Sequence, residues 1–104
     1  MAIATTLVAD SATTVYTSSG NSAVTYVTVT NYTGSAVDVD INVVPSGDSV
    51  GNTNLVADAL TIAANDTYQL YAGGEKLLLE NGDLISATAN TATSINCVVS
   101  YTAI

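Results

Sequence analysis

The side chains that most often carry catalysis are scarce in this sequence. Its 104 residues contain no histidine, one basic residue, Lys76, and one cysteine, Cys97. Without histidine, the common Ser-His and Cys-His nucleophile pairs cannot be built, and no sequence neighbour of Cys97 would lower the pKa of its thiol. We therefore expect a protein that is not an enzyme.

A pair of carboxylates is the remaining route to acid and base chemistry. Glu80 and Asp83 are separated by Asn81 and Gly82, and such a pair would be required of a glycoside hydrolase. The Asn-Gly step between them is typical of a turn, where acidic side chains commonly hold backbone groups. We expect Glu80 and Asp83 to shape a turn.

The segment that begins with Asp38 and Asp40 is the candidate for metal binding, because its alternating acids resemble the opening of a calcium loop. An EF-hand loop needs glycine at its sixth position and an acid at its twelfth, and these positions hold Val43 and Ser49. We expect no metal and no other cofactor, with a weak calcium site near Asp38, Asp40 or Asp48 as the alternative.

Strand patterns position all of these residues. Apolar and polar residues alternate over residues 37–43 and again over 95–101, the period of a half-buried strand. Turn residues recur between such segments, whereas residues 55–59 are expected to form a short helical turn or an irregular bridge. The pattern predicts one all-β domain over residues 1–104, an antiparallel β-sandwich of about eight strands, either immunoglobulin-like or jelly-roll, closed by a C-terminal hairpin.

The charge balance is strongly acidic. Nine acids face one base, for a net charge of -8, yet only 10% of the residues are charged and 48% are apolar. Nucleic acid and anionic membrane surfaces are excluded as expected partners because both are bound through basic residues. A surface that is poor in charge suits contacts between subunits, which predicts a homo-oligomer.

Secretion is not expected, because the apolar run after Met1 is broken by Thr5, Thr6 and Asp10. The lone Cys97 leaves no internal disulfide to form. Two glycosylation sequons begin at Asn31 and Asn65, and both are expected to be turns of a protein made in a cytoplasm.

The combined pattern resembles small virion structural proteins of tailed bacteriophages. The resemblance covers residues 13–31, 38–70 and 75–101, and is clearest in LLENGD at residues 78–83 and VVSY at residues 98–101. It implies a β-sandwich that binds other virion proteins, with no catalytic residues to carry over.

The function expected from this resemblance is that of a capsid decoration or cement protein. It would sit on the outer surface of the head, where its acidity keeps it away from packaged DNA, and clamp neighbouring copies of the major capsid protein. A trimer is the favoured oligomer, from symmetry. The interface candidates are the extended segments near both ends and one tyrosine between them: Ile3, Thr5, Leu7, Tyr16, Tyr101 and Ile104.

The alternative keeps the fold and moves it to the neck, tail or fibre, where the protein would be a structural adaptor or a host-glycan binder. Three of the six tyrosines, Tyr26, Tyr68 and Tyr101, lie at strand positions from which they would face a sugar, a core or a subunit. A glycan binder should show exposed tyrosines clustered at one end of the sandwich, whereas a clamp should show broad sides that are poor in charge.

Overall fold

The protein consists almost entirely of strands. The computed structural model describes residues 2–71 and 76–104, so the expected break at Gly73 and Gly74 lies outside the described residues. The described residues form nine strands: β1 (Ala2–Val8), β2 (Thr13–Thr17), β3 (Ser22–Asn31), β4 (Val37–Val44), β5 (Leu55–Ile62), β6 (Thr67–Leu70), β7 (Leu77–Leu79), β8 (Leu84–Ala89) and β9 (Ile95–Ala103). The prediction of an all-β sandwich is confirmed.

The strands form two antiparallel sheets. In the five-stranded sheet the order is β1-β9-β3, followed by β6 and β7, which both pair with the far side of β3. In the four-stranded sheet the order is β2-β8-β4-β5. Because β6 and β7 share one edge position, eight positions are filled by nine strands, one more than the expected number.

The pairing pattern is that of one long hairpin rolled into a sandwich. The first strand pairs with the last, β2 with β8, β3 with β6 and β7, and β4 with β5. This nesting defines a jelly roll, whereas an immunoglobulin-like sandwich pairs its first two strands within one sheet. Here β1 and β2 lie in different sheets. Of the two predicted architectures, the topology therefore favours the jelly roll.

The closing segment is not the hairpin that the sequence predicted. Strand β8 pairs with β2 and β4, while β9 pairs with β1 and β3 in the other sheet. The connection between them crosses the sandwich, since the N–H of Asn90 donates to the carbonyl of Asp38 and the carbonyl of Ser94 accepts from the N–H of Tyr32. Local alternation marked both strands correctly but carried no information on which sheet each would join.

Small aliphatic side chains fill the space between the sheets. The chain has neither Phe nor Trp, and the fully buried positions are mostly valine and isoleucine from both sheets, including Val8, Val29, Val39, Ile41, Ile85, Ile95 and Val99. β-Branched residues have few χ1 rotamers and fit a pleated surface, so they order a core at a small entropic cost.

Two local predictions were wrong. Residues 55–59 belong to strand β5, and the helical turn lies just before it as a 3-10 helix at Asn52–Asn54. A bulge at Thr25 also breaks the alternation of β3, because Val24 pairs with Tyr101 and Tyr26 with the adjacent Ser100. Alternation alone predicts Val24 and Tyr26 on one face of the strand and Val27 and Val29 on the other, whereas all three valines are buried in the core.

Asn31 joins the two sheets at the end of β3. Its side chain is fully buried, and its amide group donates to the carbonyls of Ser35 and Ile62 at 2.7 and 3.0 Å. Its Oδ1 accepts from the N–H and the hydroxyl of Thr33. This sequon is therefore a turn, as expected, whose asparagine is occupied inside the fold.

We predict that Asn31→Ala lowers the free energy of unfolding by about 3 kcal/mol, because it leaves several buried donors and acceptors without partners. Urea unfolding monitored by circular dichroism measures the change. Asn96→Ala, at a half-buried position, is the control and should stay within about 0.5 kcal/mol of the wild type. Equal losses in the two variants would show that Asn31 does not join the sheets.

Candidate interaction surface

Charge is distributed unevenly between the two sheets. No residue of β1, β3, β6, β7 or β9 is charged, so the strands of the five-stranded sheet carry no formal charge. In the other sheet, Asp38 and Asp40 lie on β4 and Asp58 lies on β5. The other described charges lie between strands: Asp10, Asp48, Asp66, Lys76, Glu80 and Asp83.

The outer side of the five-stranded sheet forms a continuous uncharged face. Strand register gives its members in rows: Leu7, Asn96, Thr30 and Thr67; then Thr5, Val98, Thr28 and Gln69; then Ile3, Ser100 and Tyr26; and at one end Thr102, Ala23 and Leu78. Ser100 and Ala23 are buried, so the other members form its accessible surface. Ile3, Leu7 and Leu78 are 62%, 50% and 66% exposed. Broad polar and aliphatic surface that lacks charge is typical of the centre of a subunit contact.

The bulge at Thr25 helps to build this face. The Thr25 hydroxyl donates to the carbonyl and hydroxyl oxygens of Ser100, so the extra residue is fixed against β9. Because a bulge moves one residue out of register, Tyr26 lies on the uncharged face, in the row of Ile3 and Ser100, while Val27 faces the core.

The opposite side of the sandwich is different in character. Asn42 and Ser86 pair across β4 and β8 on the outer side of the four-stranded sheet, yet both are buried. The Asn42 amide donates to the carbonyl of Gly51 and to Oδ1 of Asn54, so the segment before β5 covers this part of the sheet. The Ser86 hydroxyl has no hydrogen-bond partner among the described residues.

The rest of that side is acidic. Asp10, Asp38, Asp40 and Asp58 line an open pocket of about 360 Å³, which contains two of the three aspartates named for a calcium site. Asp48 lies elsewhere, in the turn where its N–H donates to the carbonyl of Pro45. Within residues 2–71 and 76–104, no group of three or more acids, cysteines or histidines is arranged to hold a metal ion.

The carboxylates of this pocket fix the backbone of β5. Oδ1 of Asp38 accepts from the Thr61 hydroxyl, and Oδ1 of Asp40 accepts from the N–H of Ala59, each at 2.7 Å. Ala59 has φ of +48° at a shift in register between β4 and β5. Alanine in this left-handed region is strained, so Asp40 stabilises an unfavourable conformation.

We predict that Ala59→Gly raises the free energy of unfolding by about 1 kcal/mol, because glycine adopts positive φ without strain. Ala57→Gly, two residues earlier, is the matched control, because Ala57 pairs with Ile41 and does not have a positive φ; it should lower the free energy of unfolding by about 0.5–1 kcal/mol. Chemical denaturation of both variants gives the comparison. Changes of the same sign in the free energy of unfolding of the two variants would contradict the backbone strain at Ala59.

Of the two acids that could serve glycoside hydrolysis, Asp83 holds the turn through its carboxylate and Glu80 takes part through its backbone N–H. Both oxygens of Asp83 accept backbone hydrogen bonds, from Ser46 and from Glu80. Gly82 has φ of +88°, and a Cβ there would lie 2.5 Å from the Ser46 hydroxyl oxygen. The turn between β7 and β8 therefore requires glycine and uses the Asp83 carboxylate for backbone geometry, as the sequence predicted.

The structure brings only some of the named interface candidates together. Ile3, Thr5 and Leu7 share the uncharged face along β1, and Ile104 is exposed at 69%. Tyr16 is buried in the core, where its hydroxyl donates to that of Ser22. Tyr101 is half-buried, and its ring stacks on Tyr16 with centroids 4.2 Å apart.

Sequence reasoning missed the centre of the face. Val98 and Thr28 lie between Thr5 and Gln69, and neither was named as an interface candidate. The sequence feature that could have located the face is that whole segments contain no charged residue. The low fraction of charged residues in the chain as a whole could not locate it. The pairing of those segments into one sheet was needed before the signal described a surface.

Tyrosine exposure does not follow the strand positions that were singled out. Tyr68 is exposed and Tyr26 is half-buried, while Tyr32, just after β3, is 51% exposed and donates its hydroxyl to the carbonyl of Thr93. The second sequon begins at Asn65, an exposed turn residue with φ of +58°.

Cys97 lies in the middle of the core. It is 1% exposed, between Ile95 and Val99 on the inner side of β9, and burial raises the pKa of its thiol to about 12. A thiol that stays protonated at neutral pH is a poor nucleophile. Cys97 therefore acts as a small apolar side chain in this fold.

This burial predicts a loss of stability in alkali. An unfolded cysteine ionises near pH 8.5, whereas folded Cys97 keeps its proton until about pH 12. Between these values the unfolded chain binds fewer protons, so this group lowers the free energy of unfolding by about 1.4 kcal/mol per pH unit, and has no effect below pH 8.

The measurement compares wild-type and Cys97→Ala unfolding from pH 7 to pH 11. Tyrosine ionisation is common to both proteins, so only the wild type should show the additional decline above pH 9. A disulfide reagent at pH 8 should likewise label the wild type at its rate of unfolding. Parallel pH profiles, or rapid labelling of the native protein, would contradict the buried state.

No helix in the described residues is long and apolar enough to span a membrane. Comparison of the chain with protein-family models, curated proteins and solved structures found no match in any of the three.

Proposed function

We propose that this protein is a non-enzymatic structural component of a phage virion, a decoration or cement protein that binds the outer surface of the head. In this role it clamps neighbouring copies of the major capsid protein after assembly in the host cytoplasm. The uncharged face of the five-stranded sheet is the observation that supports the proposal most directly.

The contact chemistry of that face fits a clamp. Its centre, around Val98 and Thr28, offers aliphatic and hydroxyl groups that can be desolvated without stranding a charge. Exposed Ile3, Leu7 and Leu78 add apolar area around it. Many copies of a modest interface then act together, because each bound copy links subunits that are already assembled.

The distribution of charge supports an outward orientation. The acidic pocket and the covered part of the four-stranded sheet lie on the side opposite the uncharged face. A molecule bound through its uncharged face therefore points its carboxylates away from the shell and from packaged DNA, where repulsion is smallest. A closed trimer remains the oligomer that we propose for this role.

A neck, tail or fibre position is the second candidate. Tyr32 follows β3, and Tyr68 lies in β6, whose first residue pairs with Thr30 near the end of β3. Two exposed tyrosines near one end of the sheet are the feature that a glycan-binding module would need.

We predict that Val98→Glu abolishes binding to heads, because it buries an unpaired carboxylate at the centre of the contact. Val56→Glu makes the same change at an exposed position on β5 and should bind as the wild type does. Binding is measured by co-sedimentation with heads that lack the protein, together with their resistance to heat.

Light scattering of the free protein completes the test, because it gives the number of copies of the chain in each oligomer. Wild-type protein that neither sediments with heads nor protects them would overturn the head assignment. Binding to tails, or to host surface glycan in a Tyr32-dependent manner, would then favour the second candidate. Equal binding by both glutamate variants would show that another surface makes the contact.

A further inference from the structure

The four sheet edges differ in how well they are protected against adding another strand. Strand β2 shifts register between Thr14 and Tyr16, and β5 shifts twice opposite β4 and carries Asp58. The edge opposite β1 is divided between β6 and β7, with Lys76 just before β7. Bulges, charges and short strands are the usual devices that prevent edge pairing.

Strand β1 has none of these devices. It pairs with β9 without a break over all seven of its residues, and the sequence AIATTLV contains no charge, proline or glycine. Within the described residues β1 pairs with β9 alone, so its outer edge offers a row of backbone donors and acceptors. The complement of such a row is another extended strand.

We propose that this edge binds the β1 edge of a second copy of the chain, with the two strands antiparallel across a two-fold axis at Thr5. The two five-stranded sheets then become one continuous sheet through the dimer, and their uncharged faces lie side by side. This inference rests on the β1 edge and does not depend on the proposed function.

The register follows from the length of β1 and the side-chain alternation. A continuous sheet keeps outward residues on one side, so Ile3, Thr5 and Leu7 must pair among themselves. Centring the axis on Thr5 is the arrangement that pairs all seven residues. It places Ile3 opposite Leu7 of the second copy and Thr5 opposite Thr5, both favourable cross-strand pairs.

Electrostatics favours a second copy at this edge. Two molecules with a net charge of -8 repel each other, and most approaches would bring carboxylates together. Contact through β1 joins strands that carry no charge on either side. An isologous contact at β1 and a ring contact elsewhere would use different surfaces, so edge pairing would join one trimeric ring to another.

Disulfide trapping tests the register. Directly opposed residues in antiparallel strands have Cα atoms about 4.5 or 5.5 Å apart, both within the range that a disulfide spans. Purified Thr5→Cys protein in a glutathione buffer should form a covalent dimer roughly tenfold faster than Gln69→Cys, which places a thiol at the far edge of the same face. Wild-type protein, whose Cys97 is buried, should form none.

A mixing experiment separates edge pairing from collision. Ile3→Cys and Leu7→Cys proteins should each cross-link slowly alone and rapidly when mixed, since residue 3 lies opposite residue 7. Thr5→Lys should lower the molar mass seen by light scattering, because it places two like charges opposite each other, whereas Gln69→Lys should not.

Cross-linking of Thr5→Cys at the rate of Gln69→Cys would overturn the proposal, as would equal rates for the mixed and separate proteins. All of these variants alter exposed side chains, and circular dichroism checks that they fold. Head binding by Val98→Glu and wild-type protein is measured separately, so failure of edge pairing is distinguishable from failure of the proposed function.

Discussion

The pairing of β9 with β1 and β3 is the interaction on which the rest of the structure depends. It joins the first strand of the chain to the last and places β9 inside the five-stranded sheet. The inner side of β9 contributes Ile95, Cys97 and Val99 to the core, and its outer side contributes Asn96 and Val98 to the uncharged face. One strand therefore determines both the stability of the sandwich and the chemistry of its candidate surface.

The same topology explains how little of the core is formed by local contacts. The nested strand pairs place Ile3 opposite Ser100. Pairing β1 with β9 therefore requires closure of a loop that spans nearly all of the 104 residues. Jelly rolls of this type fold slowly in comparison with helical domains of equal size. The chain must lose the entropy of closing long loops before the contacts that compensate for this loss have formed. Unprotected edges are exposed in the meantime, and β1 is the edge without a protective device.

Much of the fold was predictable from alternation, and the remainder was not, for identifiable reasons. The pattern around Val37, Val39 and Ile41 located β4, and Asn81-Gly82 located a turn, because both signals are local. The bulge at Thr25 depends on a hydroxyl contact with Ser100, 75 residues away. The partition of β8 and β9 into different sheets depends likewise on partners distant in sequence.

The candidate surface was predictable to a similar extent. The low fraction of charged residues predicts subunit contacts, and of the interface candidates Ile3, Thr5 and Leu7 lie on one exposed strand face. Alternation cannot say which side of β2 faces the other sheet, so it could not show that Tyr16 is buried. The ring of Tyr16 packs against Tyr101 inside the fold. An interface tyrosine and a core tyrosine have the same sequence pattern.

The segregation of charge gives the molecule two sides with different physical roles. Acids on the four-stranded side accept hydrogen bonds from the backbone N–H of Ala59 and the hydroxyl of Thr61, and they keep that side hydrated. Their repulsion disfavours association through it and is screened by salt over about a nanometre. The uncharged side lacks this repulsion, so its association should depend on apolar and backbone contacts and vary little with ionic strength. Acidity and charge depletion, which look like separate features of the composition, together leave one side of the sandwich free of charge repulsion.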